Sequence, residues 1–281
     1  MSDAADTGPQ DWQRWIGHSE TAHDWITEGR VAKLAATFGK PAPEVLPPGW
    51  HWILFAEAVP PQGLGEDGHP KRGGFLPPIA LPRRMWAGGR ITWHGELATG
   101  HAVTRTSTIR TVAAKAGASG PLAFVTVAHA IADEHKLLLE EEHDIVYRDA
   151  GKPGGAAAAG GTLPPEGSWC RRVVADSVLL FRYSALTFNG HRIHYDHPYA
   201  TEVEGYPGLV VHGPLIATLL LDLVGEALPQ RRIRRFAYRA HAPLFAERPF
   251  FLTGQPQSEA VELKALDAEG RLAMSGRAEL A

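Results

Sequence analysis

Residues 214–228, PLIATLLLDLVGEAL, constrain the fold more than any other stretch. Pro214 supplies a first helical residue whose missing N–H costs nothing at that position, and Pro229 ends the run. Leu215, Ile216, Leu219, Leu220, Leu223 and Val224 make the helix apolar on most sides, so it must be buried. Strand-like runs follow near 231–241 and 249–254. A hairpin closes the chain, with 260–266 and 271–279 flanking the turn at 267–270. A buried helix followed by several long strands predicts an antiparallel sheet curved around that helix.

Upstream of it, 172–174 reads as a short strand, and Asp176 as the N-cap of another helix. The stretch 185–210 is mostly loop, rich in His, Asn, Gly and Pro. A long polar loop inside a compact domain usually serves function. The first half of the chain has a similar order, helix and then strands. Two helical stretches are expected at 11–16 and 21–38, with Trp25, Ile26, Val31, Leu34 and Ala35 at helical spacing and Gly39 and Pro41 as the stop. Strands are expected at 50–58, 102–113, 122–131 and 137–147. A Pro/Gly-rich loop at 59–90 looks too polar and broken for core. The low-complexity run AGKPGGAAAAGG at 150–161, followed by Pro164 and Pro165, reads as a linker. It gives a first domain at 1–149, a linker at 150–165 and a second domain at 166–281, although no residue-level repeat joins the halves.

The 281 residues carry a formal net charge of -3, so no basic excess exists to hold a nucleic-acid backbone. One cysteine, Cys170, can make neither an intramolecular disulfide nor a thiolate metal site, and is read as small buried filler. The N-terminus, MSDAADTGPQDWQRW, has no apolar core and is not a signal peptide. No apolar stretch is long enough for a membrane span, and a cytoplasmic location is expected.

Three motifs are set aside. Gly63-Leu64-Gly65-Glu66-Asp67-Gly68 fits a dinucleotide fingerprint, but His69, Pro70, Gly73 and Gly74 follow where a helix is required, so it reads as a loop. Glu140, Glu141, Glu142 and His143 lie along one strand-like run, where neighbours face opposite ways, and read as a solvated strand end rather than metal ligands. Arg231, Arg232, Arg234 and Arg235 suit either a charged outer strand face or the phosphates of a cofactor arm.

The chemistry concentrates at 182–213, RYSALTFNGHRIHYDHPYATEVEGYPGLVVHG. His191, His194 and His197 fall within seven residues, just before the buried helix. A helix N-terminus offers free N–H groups and a positive dipole end, and Gly213 lets another group approach closely. Such a site can hold a thioester oxygen that becomes an enolate, while a histidine exchanges the proton.

This segment resembles the MaoC-like, (R)-specific enoyl-CoA hydratase motif S-G-D-x-N-P-L-H-x-D-P followed by a V-H-G helix start. Thr187 falls on the Ser, Asn189 on the Asp, His191 on the Asn, His194 on the His, Asp196 on the second Asp and Gly213 on the helix Gly. The string S-A-L-T-F-N-x-H-R-I-H-Y-D is closer still to the fatty-acid-synthase-like dehydratases. That branch includes mesaconyl-C4-CoA and itaconyl-CoA hydratases and mitochondrial 3-hydroxyacyl-thioester dehydratases. The runs 85–90, MWAGGR, and 144–148, DIVYR, resemble the same branch, so the likeness covers most of 10–255.

The resemblance implies an α+β double hotdog, two long helices each wrapped by an antiparallel sheet, with catalysis in the second half and the acyl pocket shaped by the first. It implies reversible hydration of an enoyl-thioester, with a lean to a short branched dicarboxylyl-CoA. His194, Asn189 and Gly213 would be catalytic, and Thr187, His191, Arg192, Tyr195 and His212 would bind substrate. No metal and no cofactor are implied, CoA entering as part of the substrate. The partner would be an acyl-CoA or acyl-carrier-protein thioester, neither nucleic acid nor membrane, with a homo-oligomer left open.

One departure matters: Asn189 stands where the family has Asp, and an amide cannot be a general base. His194 would then move the proton alone, with Asn189 orienting the water. Asp196 is expected to fix the loop, and Arg192 to meet a substrate carboxylate, Asp196 or Glu202. The competing readings are an acyl-carrier-protein dehydratase, a hotdog thioesterase and a non-catalytic thioester-binding subunit.

Overall fold

The computed structural model describes residues 9–117, 120–149, 160–164 and 169–281. The first half runs α1 (Pro9–Trp12), β1 (Ser19–Trp25), α2 (Glu28–Thr37), β2 (Arg83–Trp93), β3 (Ala102–Gly117), β4 (Gly120–Ala132) and β5 (Leu137–Arg148). The second runs β6 (Cys170–Val174), α3 (Ser177–Thr187), α4 (Gly213–Ala227), β7 (Ile233–Ala240), β8 (Pro249–Pro256), β9 (Ala260–Leu266) and β10 (Leu272–Leu280). All ten strands form one sheet, in the order β1-β3-β4-β5-β2-β7-β10-β9-β8-β6. Read inward from either edge, the two halves have the same strand order. The repeat that residue identities hide is visible as topology. The innermost strands β2 and β7 pair antiparallel, from Gly88 with Arg239 to Thr92 with Arg235, so the sheet is continuous across the middle.

α4 sits in the hollow of the second half against β8, β9 and β10, with every residue from Leu215 to Val224 buried. Asp176 caps α3 as the sequence predicts, its carboxylate accepting from Leu179 N–H at 2.7 Å. Thr27 caps α2 in the same way, so α2 and α3 both follow an edge strand and correspond. Between α2 and β2, where the second half has α4, the first half has only two 3-10 turns among the described residues, Trp50–Ile53 and Pro61–Gly63. The hollow there stays partly open, and a cavity of about 620 Å³ occupies it.

Three sequence expectations are corrected. The stretch 21–38 is not one helix: 19–25 is an edge strand paired with β3, and α2 begins only after the Thr27 cap. Trp25, read as helical core, ends that strand and is 52% exposed. The stretch 50–58 is no strand. Its Phe55 N–H bonds the Asp24 carboxylate at 2.7 Å instead of a neighbouring strand. The loop expected at 59–90 contains the start of β2, and its Ile79 is fully buried in a small cluster with Trp12, Ile109 and Val125. The linker expected at 150–165 lies outside the described residues except for 160–164. Among the described residues, no helix is long and apolar enough to cross a membrane.

Candidate active site

α4 starts at Gly213, whose N–H has no intrahelical acceptor. A Cβ at this position would stand 2.6 Å from the Trp86 ring of β2, so only glycine lets the helix start seat against that indole. The preceding residue, His212, is fully buried. Its Nε2 contacts Ser184 Oγ at 2.8 Å, and its ring stacks under His194 at 3.7 Å. His212 therefore packs behind His194; neither ring, nor Gly213, is among the residues lining the cavity, whose wall there is made by Asn189, Gly190 and Pro214.

His194 closes a 3-10 turn, Arg192–His194, and is 7% exposed. Its Nδ1 lies 2.7 Å from the Val210 carbonyl oxygen, which can only accept, so Nδ1 carries the proton and Nε2 keeps its lone pair. Burial pulls the imidazole down to about 4, against the Val210 bond that raises it and with help from His69. Near neutral pH His194 is thus a neutral base. His191 is pulled down to about 2, by burial first and then by His69 and His194.

The rest of the loop is braced. Asn189 Oδ1 accepts the His191 backbone N–H at 2.9 Å, and Thr187 Oγ1 donates to Tyr183 O at 2.8 Å. Arg192 pairs with Asp196 at 2.7 Å and lies 4.1 Å over the Tyr199 ring, so its charge is satisfied within the loop. Tyr195 donates to Gly190 O at 2.9 Å while lining the cavity with Thr187 and Asn189. His197, the last of the triplet, is exposed.

Sequence reasoning missed two groups. The first is the loop set aside as a failed fingerprint. Gly68, at φ +87°, lies so close to the loop carrying His191 and His194 that a Cβ would stand 1.9 Å from Gly190 O. Arg192 donates to Asp67 O at 2.9 Å and to Glu66 O at 3.1 Å, locking the two loops together. His69 enters the cavity wall, its Nδ1 3.1 Å from Asp67 Oδ2 and its ring 4.1 Å from His191. Burial raises the Asp67 carboxyl, but His69 and its backbone N–H outweigh that and hold it well below the usual range. The ligand atoms of Asp67, His69 and His191 lie within 4.8 Å of one another, a spacing that a divalent ion can bridge.

The second group lies on the inner face of β3, β4 and β5. Glu140 and Glu142 point outward to His94 and Arg90, as a solvated strand would. Glu141 points inward and is buried, which corrects the reading of 140–143 as a solvated end. Its oxygens meet His51 at 3.1 Å, Trp52 Nε1 at 2.9 Å and His143 at 2.7 Å. Burial raises its pKa, but His143 and His51 more than offset this and keep it ionised. Next to it, His129 meets Ser107 at 2.9 Å, and Arg105 lies 5.1 Å from the Phe55 ring. Arg105 lines the cavity, and its Nε is sealed from solvent without a hydrogen-bond partner. Glu20, Glu141 and Glu57 are near enough to raise its pKa, though burial lowers it more. Among the described residues none of them comes within 4.0 Å. The arginines at 231–235 lie outside this cavity. Arg232 pairs with Glu96 at 3.0 Å, and Arg234 and Arg235 each stand 4.0 Å from Glu279.

The family model for hydroxyacyl-thioester dehydratase type 2 matches residues 49–246. Over 275 residues the chain is 47% identical to mesaconyl-C(4)-CoA hydratase of Chloroflexus aurantiacus, covering 96% of this chain and 98% of that protein. HtdX of Mycobacterium tuberculosis superposes with a TM-score of 0.67 at 17% identity, over 92% of this chain and 99% of that one. A second Mycobacterium tuberculosis protein, described as a double hotdog, superposes with a TM-score of 0.56 at 15% identity, over 95% and 96% of the two chains. The sheet wrapped on α4 and repeated in strand order is that double hotdog.

Proposed function

The chain belongs to the hydroxyacyl-thioester dehydratase type 2 family and is a hydro-lyase acting on acyl-thioesters; from that premise we propose that His194 moves the proton and that the substrate is a short dicarboxylyl-CoA of the mesaconyl-C4 type. The observation that carries the His194 role is its tautomer. With Nδ1 bound to Val210 O, Nε2 is a bare acceptor beside the start of α4. In hydration the water oxygen bonds to the β-carbon, and the C=C pair moves onto the α-carbon and thioester oxygen. The Gly213 N–H holds that oxygen as charge develops. His194 takes one water proton and returns it to the α-carbon, so one water is added and the enzyme is unchanged. Asn189 accepts the His191 N–H at one lone pair of its oxygen, which holds the amide in place to offer its N–H bonds to the water or hydroxyl.

The dicarboxylyl reading rests on the relative's substrate and on Arg105. A guanidinium facing a cavity with a sealed, unbonded Nε is suited to take a carboxylate that arrives with the substrate. Arg192, the sequence-level candidate for that role, is occupied by Asp196.

The test follows the conjugated thioester absorbance of crotonyl- and mesaconyl-C4-CoA, and product formation from itaconyl-CoA, with wild type and His194→Ala. The expected result is hydration by wild type, fastest with mesaconyl-C4-CoA, and a loss of roughly 10²–10⁴-fold in the variant. A His194→Ala protein turning over near the wild-type rate overturns the role of His194. A folded wild type that hydrates no dicarboxylyl-CoA overturns the substrate.

A further inference from the structure

We infer that the Asp67–His69 pair, carried by the loop that the first half lays over the catalytic turn, is the second group that holds the attacking water. His69 accepts one of its O–H bonds at Nε2, and Asp67 fixes the ring. The inference rests on the hydration reading above and adds to it a residue from the other half of the chain.

A water aimed at a β-carbon has two O–H bonds to place, and His194 Nε2 takes one. On the catalytic loop the polar side chains nearest it are already engaged, which leaves none of them as a free, aimed acceptor for the other. Asn189 Oδ1 is used by His191 N–H at 2.9 Å, Ser184 Oγ contacts His212 at 2.8 Å, and Thr187 Oγ1 is bonded back to Tyr183 O at 2.8 Å. His69 meets the requirement. It shares the cavity wall with Asn189 and Gly190. Both carboxylate oxygens of Asp67 serve it, Oδ2 at its Nδ1 at 3.1 Å and Oδ1 at its backbone N–H at 3.0 Å. A carboxylate acceptor puts the proton on Nδ1 and leaves Nε2 as a lone pair. Among the described residues no hydrogen bond occupies that atom.

The loop that brings His69 is fixed to its target. The Gly68–Gly190 contact admits no side chain, and the Arg192 bonds to Asp67 O and Glu66 O hold both sides of it. Charged and titratable groups around the ring are Asp67, Arg84, His191 and His194. Burial and Arg84 lower its pKa, Asp67 raises it, and the balance leaves it neutral near pH 7. It stands near enough to His194 for its charge to depress that pKa.

The step then balances. The water oxygen bonds to the β-carbon, and the proton facing His194 passes to Nε2 and on to the α-carbon. The proton facing His69 stays on oxygen as the product hydroxyl. His69 ends as it began, hydrogen-bonded to that hydroxyl.

The test compares wild type, His69→Ala, His69→Gln and Asp67→Asn in steady-state hydration, with circular dichroism and thermal melts on each. The expectation is a kcat lowered about 10²-fold in His69→Ala, with KM within about twofold of wild type. His69→Gln recovers part of the loss, because its amide oxygen is an acceptor that carries no proton. Asp67→Asn falls less than His69→Ala, because its amide oxygen still takes the Nδ1 proton. A folded His69→Ala with unchanged kcat, or a Gln variant no better than Ala, overturns the inference. Activity abolished by a chelator and restored by zinc alone also overturns it, by making Asp67 and His69 metal ligands. Failure of the underlying reading looks different: wild type itself then hydrates no thioester.

Discussion

Arg105→Met is the substitution that separates substrate recognition from folding. In an ordinary buried ion pair, removing the arginine strands a carboxylate and costs several kcal/mol. Here, among the described residues, no carboxylate comes within 4.0 Å of the arginine, so no directly bonded anion is stranded and only the longer-range attraction to Glu20, Glu141 and Glu57 is lost. The contact with Phe55 at 5.1 Å is worth about 0.5–1 kcal/mol, and a methionine sulfur on the same ring replaces part of it. The desolvation of the guanidinium disappears as well. The melting temperature should therefore stay within a few degrees of wild type or rise. Catalysis should respond in the opposite sense. A charge-assisted, two-pronged bond to the substrate carboxylate is worth roughly 1.5–3 kcal/mol, or about 10–150-fold in kcat/KM at about 1.4 kcal/mol per decade. That loss should fall on mesaconyl-C4-CoA and spare crotonyl-CoA, which has no carboxylate to lose. Initial rates with the two thioesters give the ratio directly. An equal loss on both, or on neither, refutes the assignment of Arg105. A large drop in melting temperature would show that Arg105 serves the fold instead.

Gly213→Ala forces a methyl group against the Trp86 ring, 2.6 Å away. Overpacking of this kind costs about 1–3 kcal/mol, and kcat should fall with it, read by urea unfolding and by hydration rate. Leu220→Ala, at a fully buried position of α4, should cost about 2–5 kcal/mol in the same unfolding assay. The buried histidines make stability depend on pH. His194 titrates near 6.5 when unfolded and near 4 when folded, and burial also lowers His191 and His212. Between those values the unfolded chain binds more protons, so stability should be full above about pH 6.5 and fall steadily towards pH 4. Thermal melts across that range check this, and a flat profile contradicts neutral burial of these rings.

The second half was largely legible because local signals and tertiary environment agree there. Pro214 and Pro229 bracket α4, Asp176 caps α3, and the turn at 267–270 closes the last hairpin, each by a rule confined to a few residues. The first half was less so. Helical spacing from Trp25 to Ala35 ran a strand and a helix together, because the Thr27 cap between them is one residue. Inward Glu141 was indistinguishable from outward Glu140 and Glu142 in a run of three glutamates. Its partners His51 and Trp52 lie about ninety residues away. The loop proposed to be catalytic stood out by its histidine spacing and family resemblance. His69 did not, since only the docking of Gly68 on Gly190 brings it there. An Asp two residues before a His in a Gly/Pro-rich loop was the one available signal.

The pairing of β2 with β7 joins two related halves in a single chain, and this frees them from having to be identical. Two copies of one subunit must accept every change twice. Shortening a central helix to make room for an acyl group would then also remove the helix N-terminus proposed to hold the thioester oxygen. In a fused chain the losses fall on one side only. The half with the 3-10 turns at Trp50–Ile53 and Pro61–Gly63 has no counterpart of α4 and holds the cavity, while the other half has the helix start proposed to hold the thioester oxygen. The cost is that one chain then has one proposed reaction centre where a pair of identical subunits would have two.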